Sequence, residues 1–127
     1  MNTAIIGLGS NIDPQENINR AQASITQKFH ILAASKFITT KPIGSRTQAD
    51  FLNGAILLET DLDLKPLKTA LKTIETSLGR KKSPNRFDPR TIDLDILVWN
   101  DKIIDQDFYT RSFIKSAVLE LMPGLKH

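Results

Sequence analysis

The sequence predicts an α+β fold of the ferredoxin-like, split β-α-β type, in which helices cover an antiparallel sheet. Two observations support it: short apolar runs of strand length alternate with stretches of helical periodicity, and the elements follow the order β-α-β-β-α-β-α. At 127 residues, one domain spanning 1–127 is expected, because a second independent core would be difficult to build from a chain of this length.

Composition and charge exclude several classes of protein. Hydrophobic residues make up 40% and charged residues 24% of the chain, which excludes a disordered or low-complexity protein. The absence of Cys excludes a disulfide framework, a thiolate zinc site and a cysteine nucleophile. No apolar run reaches the roughly 20 residues of a membrane span, and no signal peptide is evident, so we expect a cytoplasmic protein without a membrane partner. The net charge of +3 is too small to demand nucleic acid.

The first half of the chain predicts a strand, a helix and a second strand. Residues 3–8 form an apolar run that Gly9 interrupts, and Gly7-Leu8-Gly9 is interpreted as a tight turn after the strand. Asp13, Pro14 and Glu16 predict a capping box at the start of a helix that runs to about Lys28. The apolar stripe of this helix consists of Ile18, Ala21, Ile25 and Phe29. A second strand is predicted within residues 31–39.

The second half begins with a polar loop at 41–50 and a strand at 55–59. Helical spacing then runs from Leu64 to Leu78, and Gly79 ends that helix. A basic loop covers 81–89, and residues 91–99 alternate with a period of two, so that Leu97 and Trp99 are expected on the opposite face from Val98. A last helix is predicted at 113–122.

The strand at 91–99 carries the strongest candidate site. Asp93 and Asp95 lie two residues apart, so both side chains leave one face about 6.5 Å apart at the backbone while Leu94 faces the other way. Two ionised carboxylates this close repel each other, and a bound metal or a raised pKa relieves the repulsion. Oxygen ligands without Cys or a nearby His favour Mg²⁺. An ion-pair network with Arg86 or Arg90 explains the same pattern equally well.

A basic segment directly precedes these aspartates and contains Arg80, Lys81, Lys82, Arg86 and Arg90. Mg²⁺ beside several cations suits a polyphosphate, because the positive charges neutralise the charge that develops when a phosphoryl group is transferred. The pattern therefore indicates phosphoryl chemistry. The alternative is a small basic domain that binds nucleic acid, but the aromatic residues of a stacking platform are missing, as is a Walker loop.

Three segments together carry a resemblance to a known family: residues 7–11 (GLGSN), residues 51–53 (FLN) and residues 86–97 (RFDPRTIDLDIL). They resemble 6-hydroxymethyl-7,8-dihydropterin pyrophosphokinase of folate biosynthesis, whose signature has Pro-Arg-x-x-Asp-hydrophobic-Asp as its core. The resemblance extends from Ala4 to Leu125. It implies an enzyme on a ferredoxin-like fold that uses two Mg²⁺ ions to transfer pyrophosphate from ATP to the hydroxymethyl group of a reduced pterin, with release of AMP.

The resemblance also implies a role for individual residues. Both Mg²⁺ ions would be held by Asp93 and Asp95, and the phosphates would be contacted by Arg80, Lys82 and Arg90. Further ATP contacts are expected from Glu75 and Arg111. The pterin ring would lie between Phe51 and Phe113, with its edge bound by Asn53 and by backbone groups of Thr40 and Ile43. Two phenyl rings and an amide suit a flat heteroaromatic ring. The expected partners are these small molecules, and the expected state is a monomer or weak dimer.

The chain departs from the family pattern at a few places. Asp88 stands where the family usually has Gly or Ala, and Lys72 where a glutamine is common. The segment between Ile104 and Arg111 is several residues shorter and lacks a His-Pro stretch that helps to hold the triphosphate. The shortened 105–110 region keeps a second hypothesis open, that of a non-catalytic relative that binds a pterin or nucleotide.

Overall fold

The structure, a computed structural model, describes residues 1–41, 49–80 and 91–127. Within these ranges the strands are β1 (Asn2–Ser10), β2 (His30–Ala34), β3 (Ile38–Thr40), β4 (Phe51–Thr60), β5 (Asp93–Trp99) and β6 (Lys102–Ile103). The helices are α1 (Pro14–Lys28), α2 (Leu64–Ser77), α3 (Asp107–Thr110) and α4 (Ser112–Leu121). In this part of the chain, no helix combines the length and apolar character needed to cross a membrane.

The strands form one sheet in the order β2-β4-β1-β5-β6, and β3 pairs with β4 alongside β2. Every pairing is antiparallel, so β1 and β2 run parallel to each other with β4 between them. Two parallel strands joined by a helix and separated by a third strand are the split β-α-β arrangement. The predicted α+β fold is therefore confirmed.

The closed face of the sheet is the one covered by α1 and α2. The apolar stripe predicted for α1 is buried there, with Ile18, Ala21 and Ile25 at 2% exposure or less and Phe29 packed at the edge. Apolar residues of α2 meet the same cluster, since their spacing of three and four places them on one side of the helix. The strands contribute alternate residues to this core, and Ile92, which directly precedes β5, joins them: Ala4, Ile6, Leu8, Ile56, Leu58 and Leu94.

The open face is the opposite one, which α4 covers in part. A second apolar cluster lies there, in which Ile5, Val98, Phe108 and Val118 are almost fully buried. Further along the same strands this face carries Gly7, Gly9, Asn53, Asp93 and Asp95. One face therefore holds the main core, and the other holds a smaller core beside small and polar residues.

Two predictions about strands were wrong. β1 continues to Ser10, because β4 and β5 pair with it on both sides as far as Gly9, so Gly7-Leu8-Gly9 is central strand and not a tight turn. The alternation of β5 also breaks, since Ile5 pairs with Val98 while Ile6 pairs with Ile96. This β-bulge leaves Leu97 and Val98 both in the open-face cluster and returns Trp99 to the closed face.

Other elements differ in detail from the prediction. The second strand is divided into β2 and β3, and β6 and α3 were not predicted. The capping box at α1 is absent: Asp13 has φ of 40° and its side chain makes no capping bond. An N-cap side chain usually reaches the first turn from an extended backbone, which this left-handed residue does not have. The buried Asn17 instead donates its side-chain amide to the carbonyl of Ile12 at 2.5 Å.

Candidate active site

A cavity of about 330 Å³ opens on the open face of the sheet. Its floor is formed by β1, β4 and β5, and residues of α4 and of the segment before it form a wall. Among its lining residues are several that the sequence predicts as site residues: Phe51, Asn53, Asp93, Asp95, Arg111 and Phe113. These side chains come from three separate parts of the chain, and the sheet topology brings them together.

Asp93 and Asp95 lie on the cavity side of β5, while Leu94 between them is buried in the closed-face core. The guanidinium of Arg80, which follows α2, donates to Asp93 Oδ1 at 3.1 Å. In the described structure this carboxylate therefore has a positively charged partner. Burial, together with the negative charges of Asp93 and Asp105, raises the pKa of Asp95 to about 7. The pair is thus a site of unfavourable negative charge.

The donor chemistry of this pair suits Mg²⁺. In the ranges that the structure describes, no three acidic or histidine side chains form a ready-made metal cluster. Mg²⁺ does not need one, because it is usually bound by one or two carboxylates together with substrate phosphates and water. A cation here would also offset the repulsion that raises the pKa of Asp95. The residues present therefore fit the metal that the sequence predicts.

Glu75 is buried on the α2 side of the sheet, with 3% of its surface exposed. Its Oε2 accepts a hydrogen bond from the backbone amide of Leu94 at 2.6 Å. Its Oε1 lies 3.3 Å from Lys72 Nζ and 3.8 Å from Arg80 Nε. Burial raises the pKa of Glu75, and the Leu94 hydrogen bond and the Lys72 charge act in the opposite direction. Glu75 is thus bound to the backbone of β5 between the two aspartates.

Asn53 lies on β4 opposite Gly9 of β1. Its Nδ2 donates to Thr40 Oγ1 at 2.5 Å, which fixes the direction of the carboxamide. A Cβ atom on Gly9 would lie 2.7 Å from Asn53 Oδ1, so only glycine leaves room for this side chain at the floor of the cavity. Thr40 thus acts on the site through its hydroxyl as well as through the β3–β4 pairing of its backbone.

The aromatic and cationic side chains of the wall come from both halves of the chain. Phe51 begins β4 and Phe113 lies in the first turn of α4, and both line the cavity. Arg111 precedes α4, and its Nε lies 3.8 Å from Asp107 Oδ2. The short segment that links β6 to α4 forms α3 and places Asp105 and Asp107 at the cavity.

Three features of the site have no signal in the sequence: Asp105, Asp107 and the Gly9–Asn53 contact. The two acids stand in a short polar segment without periodicity, so nothing in the local pattern marks them as site residues. Other predicted residues, namely Ile43, Lys82, Asp88 and Arg90, lie outside the described residues, as do most of the two predicted loops at 41–50 and 81–89.

Comparison with known proteins identifies the family of the chain. A family model described as 7,8-dihydro-6-hydroxymethylpterin-pyrophosphokinase (HPPK) matches residues 5–123. A 2-amino-4-hydroxy-6-hydroxymethyldihydropteridine pyrophosphokinase from Haemophilus influenzae is 34% identical over 136 residues, which cover 98% of this chain and 84% of the relative. The protein of the same name from Bacillus subtilis is 33% identical, with 94% of this chain and 78% of the relative covered.

A longer relative also matches nearly the whole chain. The folic acid synthesis protein fol1 of Schizosaccharomyces pombe is 32% identical over 98% of this chain, which corresponds to 18% of that protein. The match of the family model over most of the chain, together with relatives above 30% identity, places the sequence unambiguously. The chain belongs to the 7,8-dihydro-6-hydroxymethylpterin pyrophosphokinase family.

Proposed function

We propose that this protein is an active pyrophosphokinase of folate biosynthesis, which transfers pyrophosphate from ATP to the hydroxymethyl oxygen of 6-hydroxymethyl-7,8-dihydropterin and releases AMP. Family membership supports the reaction class. The observation that carries the proposal for this chain is a single cavity that joins an aromatic and amide pocket to a pair of carboxylates with a cation beside it.

The pterin would occupy the end of the cavity near β4. Phe51 and Phe113 would stack on its two faces, and the Asn53 carboxamide, held by Thr40, would bind its polar edge. Ile43 would complete that edge through its backbone. A ring held in this way presents its hydroxymethyl group in one direction, and such orientation lowers the entropic cost of the reaction.

The triphosphate would lie toward β5. Asp93 and Asp95 would hold two Mg²⁺ ions, which neutralise phosphate charge when bound. Arg80, Arg111, Lys82 and Arg90 would add positive charge around the phosphates. The hydroxymethyl oxygen then forms a bond to the β-phosphorus, the bond from that phosphorus to the α,β-bridging oxygen breaks, and AMP leaves with the electron pair. The hydroxyl proton is lost to solvent.

The decisive experiment is to measure AMP formation from ATP with the purified protein. We expect AMP only when both Mg²⁺ and the reduced pterin are present, together with the pyrophosphorylated pterin in equal amount. Pterin binding without AMP formation would instead support the non-catalytic relative, in which the shortened 105–110 segment has removed the reaction.

We further propose that the unit of activity is one domain spanning 1–127, acting in the cytoplasm as a monomer or weak dimer on small-molecule substrates. A continuous sheet supports the single domain, because β1 contributes to both apolar clusters and to the cavity. Sedimentation equilibrium tests the oligomeric state, and a stable dimer at micromolar concentration would contradict it.

A further inference from the structure

Glu75 has a set of contacts that its expected role as an ATP ligand does not require. It is a buried glutamate on α2, and its shortest contact in the described structure is the 2.6 Å hydrogen bond from the backbone amide of Leu94. Leu94 stands between Asp93 and Asp95, so a group that holds this amide acts on the strand segment from which both carboxylates extend. The hydrogen bond is therefore made between the two proposed metal ligands, by a helix that packs on the closed face.

The position of this contact in the sheet explains why a side chain is needed. β1 flanks β5 on one side, whereas β6 pairs with β5 only at Val98 and Trp99 among the residues described. The segment around Leu94 therefore depends on another acceptor for its outer amide, and an unpaired amide at a buried position is costly. Glu75 supplies the acceptor from a helix that packs on the closed face.

A second set of contacts extends from Glu75 to a cation of the site. Arg80 lies between two carboxylates, with Nε 3.8 Å from Glu75 Oε1 and Nη1 3.1 Å from Asp93 Oδ1. Lys72 Nζ, 3.3 Å from Glu75, balances the remaining negative charge. Glu75 thus restrains both the backbone of the aspartates and the direction of the Arg80 guanidinium.

We propose that Glu75 is a positioning residue, which orients Asp93, Asp95 and Arg80 for the metal-bound triphosphate through its bonds to Leu94 and Arg80. The inference rests on the proposed function and assigns to Glu75 a role other than contact with ATP. Groups that orient the ligands of a metal site are typically worth about 10- to 100-fold in metal affinity or activity.

Two substitutions separate the parts of this role. Glu75→Ala removes the Leu94 acceptor and the charge, so we expect kcat to fall about tenfold or more and the Mg²⁺ concentration for half-maximal rate to rise, with KM for ATP changed less than about twofold. Glu75→Gln keeps an acceptor for Leu94 but loses the attraction for Arg80, so we expect a smaller loss of kcat, about threefold. Glu16→Ala, which removes an exposed glutamate of α1, is the matched control and leaves both quantities unchanged.

Amide hydrogen exchange in the ligand-free protein provides a measurement that does not depend on activity. Exchange at Leu94 should accelerate about tenfold or more in Glu75→Ala, and it should stay close to wild type in Glu75→Gln and Glu16→Ala. If Glu75→Ala does not fold, the loss of kcat in Glu75→Gln decides the question.

The alternatives give different results. A rise in KM for ATP with unchanged kcat would overturn the inference in favour of direct ATP contact. A lower melting temperature with wild-type kcat, measured where the variants are folded, would show a merely structural role and would also overturn it. If the wild-type protein forms no AMP, the proposed function fails by itself. In that case unchanged exchange at Leu94 in Glu75→Ala overturns the inference, and accelerated exchange supports it.

Discussion

The two faces of the sheet are built from the same strands but differ in what their side chains do. On the closed face, residues such as Ile6 and Leu8 meet the apolar stripes of two helices and are almost fully buried. On the open face, their neighbours Gly7 and Gly9 have no side chain, and the space directly above them is taken by the side chains of Leu97 and Asn53, which line the cavity. The strand period of two thus lets one segment contribute to stability through one face and to binding through the other.

This difference means that substitutions on the two faces should separate stability from function. On the closed face, a shortened side chain leaves a void among packed neighbours and lowers the free energy of unfolding. On the open face, the residues around the cavity carry few such contacts and should mainly change affinity or rate.

The largest effect is expected at Asp95. Asp95→Ala removes half of the proposed metal site, so we expect kcat to fall about 100-fold or more while pterin affinity stays near wild type, because other residues hold the ring. Steady-state kinetics and calorimetry with the pterin measure the two quantities. Asp61→Ala, at an exposed position after β4, is the control, and wild-type turnover by Asp95→Ala would remove the metal hypothesis.

On the closed face, Leu71→Ala should destabilise the protein without changing the site. Leu71 is 1% exposed and lies in the main core, so we expect a loss of about 2–5 kcal/mol in the free energy of unfolding. Urea denaturation measures this loss, and Leu62→Ala, at a residue that is 37% exposed, should cost far less. A large change in pterin affinity of the folded Leu71→Ala protein would contradict the separation of the two faces.

At the wall of the cavity, Phe113→Ala should weaken pterin binding about tenfold or more, because one of the two proposed stacking rings is lost. ATP affinity measured without pterin should barely change. Phe29→Ala is a matched control on the closed face, where the same truncation should lower the melting temperature and leave pterin affinity unchanged. Equal pterin affinity in wild type and Phe113→Ala would rule out stacking of the pterin between Phe51 and Phe113.

At the floor of the cavity, Gly9→Ala tests the position of Asn53. The added methyl group would lie 2.7 Å from Asn53 Oδ1, so the carboxamide must move and one hydrogen bond to the pterin is lost, which corresponds to about tenfold in affinity. Gly124→Ala is the control, since its Cβ would meet no atom within 4 Å in the structure described. If the two variants bind pterin equally well, Asn53 does not form a hydrogen bond to the pterin ring.

The last prediction concerns pH. Because the pKa of Asp95 is raised from 3.8 to about 7 in the folded protein, the unfolded chain loses this proton at lower pH than the folded one. The free energy of unfolding of the metal-free protein should therefore fall as pH rises from about 4 to 7. Asp95→Asn should flatten this dependence, which denaturation in the presence of a chelator measures. An identical pH profile for the two proteins would contradict the assignment.

Local sequence pattern predicted much of the fold and part of the site. Helical spacing predicted α1 and α2 to within a few residues, because it reflects burial against one surface. The period of two in β5 placed Asp93 and Asp95 on the face opposite Leu94, as the structure shows. The same period failed after Ile96, because the bulge opposite β1 is a property of strand pairing and has no local signal in a run of apolar residues.

By itself, the sequence determined the fold class, the two long helices α1 and α2, and the two carboxylates of β5, because backbone sterics and the periodicity of burial act over a few neighbouring residues. Only the tertiary structure decided that Asn53 lies on Gly9 and that Glu75 holds the amide of Leu94. These contacts join residues that are 44 and 19 positions apart, so they depend on strand order and on the packing of α2 against the sheet. Strand order and helix packing are set when the apolar faces of several elements are buried together, and no single segment can specify that.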